Sequence, residues 1–144
     1  KLIVNVLAQL DSGKALAHTP QPTENSTYAE KILKSEAEID WSLEAKKIDA
    51  QIRAFNPFPG SISAFEGQTI KLWNSSLCPK LEHKKGQPGE VLGFGERGIF
   101  VQCGAGVLEV LEVQKPGGKR IDAKAWLQSV EGAKQPICFD TLPK

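Results

Sequence analysis

Methionine is absent from all 144 residues, position 1 included. The chain is therefore expected to be a fragment or a processed product with a segment missing upstream. Cysteine is scarce: Cys78, Cys103 and Cys138 are odd in number and far apart. That argues against a disulfide framework and for a reducing, cytoplasmic compartment. No CxxC or HxxxH spacing occurs, which argues against a zinc site. The two histidines, His18 and His83, neighbour no nucleophile pattern, so a catalytic role is expected for neither. No apolar run approaches the ~20 residues of a membrane span. The start, Lys1–Leu7, is too short for a signal peptide and meets Asp11 too soon. Net charge is only +1, but it is uneven. Residues 1–40 hold four lysines and six acids, whereas 41–144 hold fourteen Lys/Arg and eleven acids. The weak basic bias of the second part permits a polyanionic partner without requiring one.

The residues that are present, 40% hydrophobic and 24% charged, suit one soluble domain with its own core. Leu2, Ile3, Val6, Leu7 and Leu10 form one stripe of an amphipathic helix, ended by Asp11–Gly13. The sequence offers that stripe no partner, so it is expected to have packed on an absent upstream domain. Residues 14–27, polar and stiffened by Pro20 and Pro22, read as linker. A short helix from Thr27 to Lys34 and an extended step at Ile39–Trp41 follow. Ser42 is placed to cap a second helix, in which Ala45, Ile48, Ile52 and Phe55 make a buried face. Lys46, Lys47, Asp49, Gln51 and Arg53 fall mainly on the solvated side.

The stretch Ile52–Gly60 is the one the rest must accommodate. Pro57 and Pro59 push Asn56 and Phe58 out of the α region, which predicts a rigid, extended corner anchored by Phe55 and Phe58. It is either a plain helix stop or a stiff turn that holds Arg53 and Asn56 out to a partner. After it the period changes to two. Strands are predicted at 61–65, 69–73, 90–94, 98–103 and 106–113, with 74–88 a polar loop. Five short strands with Gly turns suggest a small barrel. Lys115–Arg120 is a basic, Gly-rich loop, and Asp122 caps a last helix with Ala125, Trp126 and Leu127 as its apolar members. Residues 132–144 show no pattern.

Thr27–Ile32, Ile39–Trp41, Ile52–Gly60, Gly67 with Lys71–Trp73, Pro88–Val91 and Gln114 through Gly118–Arg120 occur in that order. This ordered set resembles the C-terminal part of the methionyl-tRNA formyltransferase family. The resemblance makes 1–13 the last helix of a missing catalytic domain, 14–40 an interdomain linker, 41–131 the C-terminal domain and 132–144 an unassigned tail. It implies a mainly β fold with flanking helices: a five-stranded, OB-like barrel preceded by a helix. It further implies transfer of formyl from 10-formyltetrahydrofolate to initiator methionyl-tRNA. The catalytic residues and the folate then belong to the upstream domain, and this segment carries no catalytic residue and no cofactor. Its partners would be initiator methionyl-tRNA and its own N-terminal catalytic domain, with no membrane, as a monomer.

In that light the tRNA-binding candidates are Arg53, Lys71, Lys80, Lys84, Lys85, Lys115, Lys119, Arg120 and Lys124, since phosphates need Lys and Arg on loops and strand ends. The alternative for each is a solvated turn. Trp73 and Trp126 are expected in the core, which favours recognition of folded RNA by shape and charge over capture of single strands. Two competing functions stay open: an accessory domain of another 10-formyltetrahydrofolate-using enzyme, and a free-standing RNA-binding barrel.

Overall fold

The computed structural model describes residues 1–16, 19, 20, 22–24, 26–78, 86–130 and 136–140. They fall into two compact units, Lys1–Lys31 and Ile32–Lys144. In the first, helix α1 (Leu2–Asp11) ends at Gly13, which takes a φ of 70° and donates its N–H to the carbonyl of Leu10. No residue of α1 is buried, and Leu2, Ile3, Val4, Leu7 and Leu10 are all more than half exposed. Ten residues with such a stripe gain their stability from a packing partner rather than from intrinsic propensity.

The second unit is an antiparallel sheet flanked by helices α2 (Ala45–Ala54) and α3 (Ala123–Ser129). Its strands are β1 (Ser61–Phe65), β2 (Gln68–Leu77), β3 (Val91–Phe94), β4 (Ile99–Gln102), β5 (Val107–Gln114) and β6 (Arg120–Asp122). They are ordered β1-β2-β5-β4-β3, with β6 paired to β5. The expected five-stranded closed barrel is corrected on two points. Among the described residues there are six strands, the added one being Arg120–Asp122, which pairs with Glu112–Gln114 and is too short to show an alternation. The sheet is open, since β1 and β3 do not pair with each other. β2 also continues to Leu77, through residues that read as loop. Asn74, Ser75 and Ser76 lack an apolar alternation and are held instead by pairing with β5, with register shifts beside Asn74.

The buried face of α2 is the predicted one. Ala45, Ile48 and Ile52 are buried and the helix packs on β2 and β5. The cap differs, because the helix starts at Ala45 and Ser42 turns back instead. Ser42 donates its N–H (2.9 Å) and hydroxyl (2.6 Å) to Asp40 Oδ1. The hydroxyl above all, then the N–H, holds that carboxyl below its usual range. Asp122 caps α3 as expected, accepting from the N–H groups of Lys124 (2.7 Å) and Ala125 (3.3 Å). Ala123 and Trp126 are the buried members of α3, Leu127 is half-buried and Ala125 is exposed.

Two segments without readable pattern supply core residues. Ala37 and Ile39, at the end of the expected linker, and Trp41, the first residue of the expected domain, are buried, and the Ile39 N–H donates to the Ile62 carbonyl at 2.8 Å. Ile137 and Phe139, from the expected tail, are buried too. Phe139 stacks between Trp41 (5.5 Å between centroids) and Trp126 (5.1 Å). Its strand-like segment joins both outer strands: Asp140 exchanges backbone hydrogen bonds with Ala64 of β1, while Val91 of β3 donates to the Ile137 carbonyl.

The corner at residues 55–59 is a compact turn rather than an extended one. The Gly60 N–H closes it onto the Phe55 carbonyl at 2.8 Å. Asn56–Pro57 and Phe58–Pro59 are both cis. The expected anchors are corrected: Phe55 is half-buried and Phe58 is 80% exposed.

Candidate nucleic-acid interface

Register brings the basic residues together. Lys71 of β2 lies opposite Gln114 of β5, and Gln114 lies opposite Arg120 of β6. Residues directly opposite share a face, so these three form one row across three adjacent strands. Trp73, two residues on from Lys71, joins the row and donates its Nε1–H to Gln114 Oε1 at 2.8 Å. The Arg120 guanidinium stands 3.7 Å over the Trp73 ring, and Lys71 Nζ is 5.2 Å from its centroid. Such contacts are worth about 0.5–2 kcal/mol and fix where the charge is held.

The corner is fastened to the same tryptophan. The Asn56 side-chain amide donates to the Trp73 carbonyl at 2.9 Å, and Arg120 Nη2 approaches Asn56 Oδ1 at 3.4 Å. Lys71 Nζ donates to the Pro59 carbonyl at 3.3 Å. Gly60, with φ at 81°, lies flat against the indole, and a Cβ there would sit 2.7 Å from the ring. Glycine is therefore required at this position for both backbone and space. The prolines restrict the turn, Asn56 and Gly60 dock it, and Trp73 is the platform.

Beside this row opens a cleft of about 350 Å³ lined by Thr69, Lys71, Gln114, Lys115, Pro116 and Gly117. Lys115 is half-buried and donates to Ser129 Oγ at 3.1 Å, while Lys119 is fully on the surface. The basic, Gly-rich loop read over Lys115–Arg120 is thus divided: Arg120 belongs to β6 and lays its guanidinium on Trp73, while Lys119 is exposed beside it. Lys124 is engaged elsewhere, donating to the Glu96 carbonyl at 3.0 Å near Phe94. Arg53 holds Asp49 at 2.9 Å. Asp49, expected on the solvated side, is buried and also accepts from Ser75 Oγ at 2.8 Å. Lys80, Lys84 and Lys85 lie outside the described residues, as do His18 and His83.

Among the described residues, the ion pairs are Arg53–Asp49 and Arg97–Glu109, so Lys71, Lys115, Lys119, Arg120 and Lys124 have no carboxylate partner. Four of these five lie on or beside one row and one cleft. Such a surface can receive an anion without first displacing an acid. A larger cleft of about 430 Å³ at the start of α2 has Glu44 beside Lys46 and mainly apolar walls, which does not suit a polyanion. Sequence reasoning missed Trp73 and Gln114 as members of this surface. The pair Lys71-x-Trp73, two apart on one strand, was the available signal for the first.

No group of acids, histidines and cysteines among the described residues could hold a metal ion. The Cys103 thiol is pushed up to about 12 by burial, so it is inert as a nucleophile. Among the described residues no helix is long and apolar enough to cross a membrane.

Comparison with known proteins bears on the family. Residues 31–131 match the model of the formyl transferase C-terminal domain family. A methionyl-tRNA formyltransferase of Polynucleobacter asymbioticus is 56% identical over 141 residues, covering 97% of this chain and 42% of the relative. One of Ralstonia nicotianae is 44% identical over 130 residues, 90% of this chain and 39% of the relative. The chain thus spans about two fifths of the length of these curated relatives. Among solved structures, a HypX variant from Aquifex aeolicus superposes with a TM-score of 0.68 at 19% identity, covering 92% of this chain and 23% of that one. HypX in complex with tetrahydrofolic acid gives 0.67 at 18% identity, covering 99% and 26%. With most of its length matched and relatives at these identities, the chain belongs to the formyl transferase C-terminal domain family.

Proposed function

We propose that this chain is the tRNA-binding C-terminal part of a methionyl-tRNA formyltransferase, serving translation initiation in the cytoplasm. The whole enzyme moves a formyl group from 10-formyltetrahydrofolate to the methionyl group of initiator tRNA, and its catalytic domain lies upstream. In this reading residues 1–13 end that domain, 14–40 link it, 41–131 form the binding domain and 132–144 follow as a tail. The observation that carries the reading is the row Lys71–Gln114–Arg120, set on Trp73 and free of carboxylates. Two cations fixed in register match phosphates spaced along a backbone, and a lysine-lined cleft continues the surface. Lys115 and Lys119 extend it directly. Arg53 and Lys124 are its outer members, and Lys80, Lys84 and Lys85 are its candidates beyond the described residues. The cleft offers two lysines and no acid, chemistry for an anion rather than for a pterin ring, so the folate is assigned to the rest of the enzyme. The domain is read as OB-like, supported by the segment Ile137–Asp140, which reaches from β1 to β3 across the open side of the sheet. It is read as acting as a monomer.

An accessory domain of another folate enzyme is favoured only by likeness of fold at 19% identity, against 56% for the methionyl-tRNA formyltransferase. Binding of initiator and elongator tRNA by this chain, followed at rising salt, tests the reading. The expected result is binding to both with similar affinity and a steep salt dependence, because phosphate contacts carry no sequence. No binding at low salt would overturn it.

A further inference from the structure

Phe58 is the side chain in the corner that the interface so far leaves unused. Its ring is 80% exposed, although it sits between two prolines on a turn docked by its neighbours. An exposed aromatic ring on a docked turn offers its face for stacking. Two residues of the same turn are held by cations of the basic row, Asn56 by Arg120 and Pro59 by Lys71. Lys71 spends one donor on the Pro59 carbonyl and Arg120 one on Asn56 Oδ1, so an ammonium with three donors and a guanidinium with five keep donors to spare. An exposed aromatic ring on a turn held by two cations without carboxylate partners suits a nucleotide, with its base free to stack and its phosphates free to meet the cations. A base locked in a helix presents no face to such a ring, so the nucleotide must be unpaired.

We propose that Phe58 is a stacking platform for an unpaired base of the bound RNA, with Lys71 and Arg120 holding the adjoining phosphates. The proposal rests on the RNA-binding reading and refines it, from recognition of charge alone to recognition of a single-stranded element.

The test uses the 144-residue chain and two RNA hairpins with the same stem, one blunt and one with a short single-stranded 3′ tail. Binding is measured by fluorescence anisotropy for wild type, Phe58→Ala and Phe58→Trp, with thermal melts alongside. Wild type should bind the tailed hairpin more tightly. Phe58→Ala should lose about five- to a hundredfold on the tailed hairpin, with blunt-hairpin affinity, salt slope and melting temperature unchanged. Phe58→Trp should retain the preference for the tail. Equal binding of the two hairpins by wild type, or a Phe58→Ala variant that loses both equally or neither, would overturn the platform while leaving RNA binding intact. Failure of wild type to bind either hairpin would instead overturn the RNA-binding reading, and the platform with it.

Discussion

Arg53 and Arg120 carry the same charge and are spent differently. Arg53 is an i,i+4 partner of Asp49 on α2, with its side chain 66% exposed. Asp49 is buried and also anchors Ser75 of β2. Arg53→Ala should therefore cost no more than about 0.5 kcal/mol, the scale of a surface helix pair. Asp49→Ala leaves a buried hydroxyl without its acceptor and should cost about 1–3 kcal/mol. Urea melts of the two variants check the ordering, and equal losses would refute it. Cys103 gives a second residue-scale prediction. Burial raises its folded pKa from 9.0 to about 12, so folding favours the neutral thiol. That contribution is complete below pH 9 and is lost as pH rises from 9 toward 12. Native alkylation near pH 8 should spare Cys103, while the half-buried Cys78 and Cys138 react first, as read by mass spectrometry of the labelled peptides. At this scale the sequence shows which residues are basic but not which are free. Asp49 reads as solvated because Lys46 and Arg53 are its i−3 and i+4 neighbours on the helix, and the approach of Ser75 from β2 is not legible locally.

Among the elements, most of those with a strong period were legible. The short helix expected over Thr27–Lys34 is corrected: 27–33 carries no helix and a 3-10 turn stands at Lys34–Ala37, because Tyr28, Ile32 and Leu33 find nothing to pack on and stay exposed. The 3-4 spacing of Ala45, Ile48 and Ile52 and the Asp122 cap each identify a helix, because helical burial and capping are local. β6 and the Ile137–Asp140 segment are too short to carry a period, and the partners of the second lie far away in sequence. Long-range hydrogen bonds and the Trp41–Phe139–Trp126 stack hold what local pattern does not. Phe139→Ala should thus destabilise the domain by about 3–5 kcal/mol, whereas Phe58→Ala should leave the melt unchanged. The reverse ordering in thermal melts would place the anchor at the corner after all. Gly60→Ala should also be costly, by more than about 1 kcal/mol, because a Cβ meets both an unfavourable φ and the Trp73 ring. An indole fluorescence shift should accompany it.

For the whole molecule, the family was legible from motifs in order, since each motif is a local requirement that survives without knowledge of the sheet. The interface was legible as a list of lysines and arginines, but its geometry depends on which strands become neighbours. Lys71, Gln114 and Arg120 are up to 49 residues apart and meet only through the β2-β5-β6 register. The central claim is that this row binds RNA phosphates. It is tested most directly by the salt dependence of tRNA affinity for wild type and for Lys71→Ala/Arg120→Ala, with a melt to confirm folding. Weaker binding is predicted, with the slope of log affinity against log salt shallower by about 0.7–0.9 per lost contact. A folded double variant with unchanged affinity and unchanged slope would contradict the account.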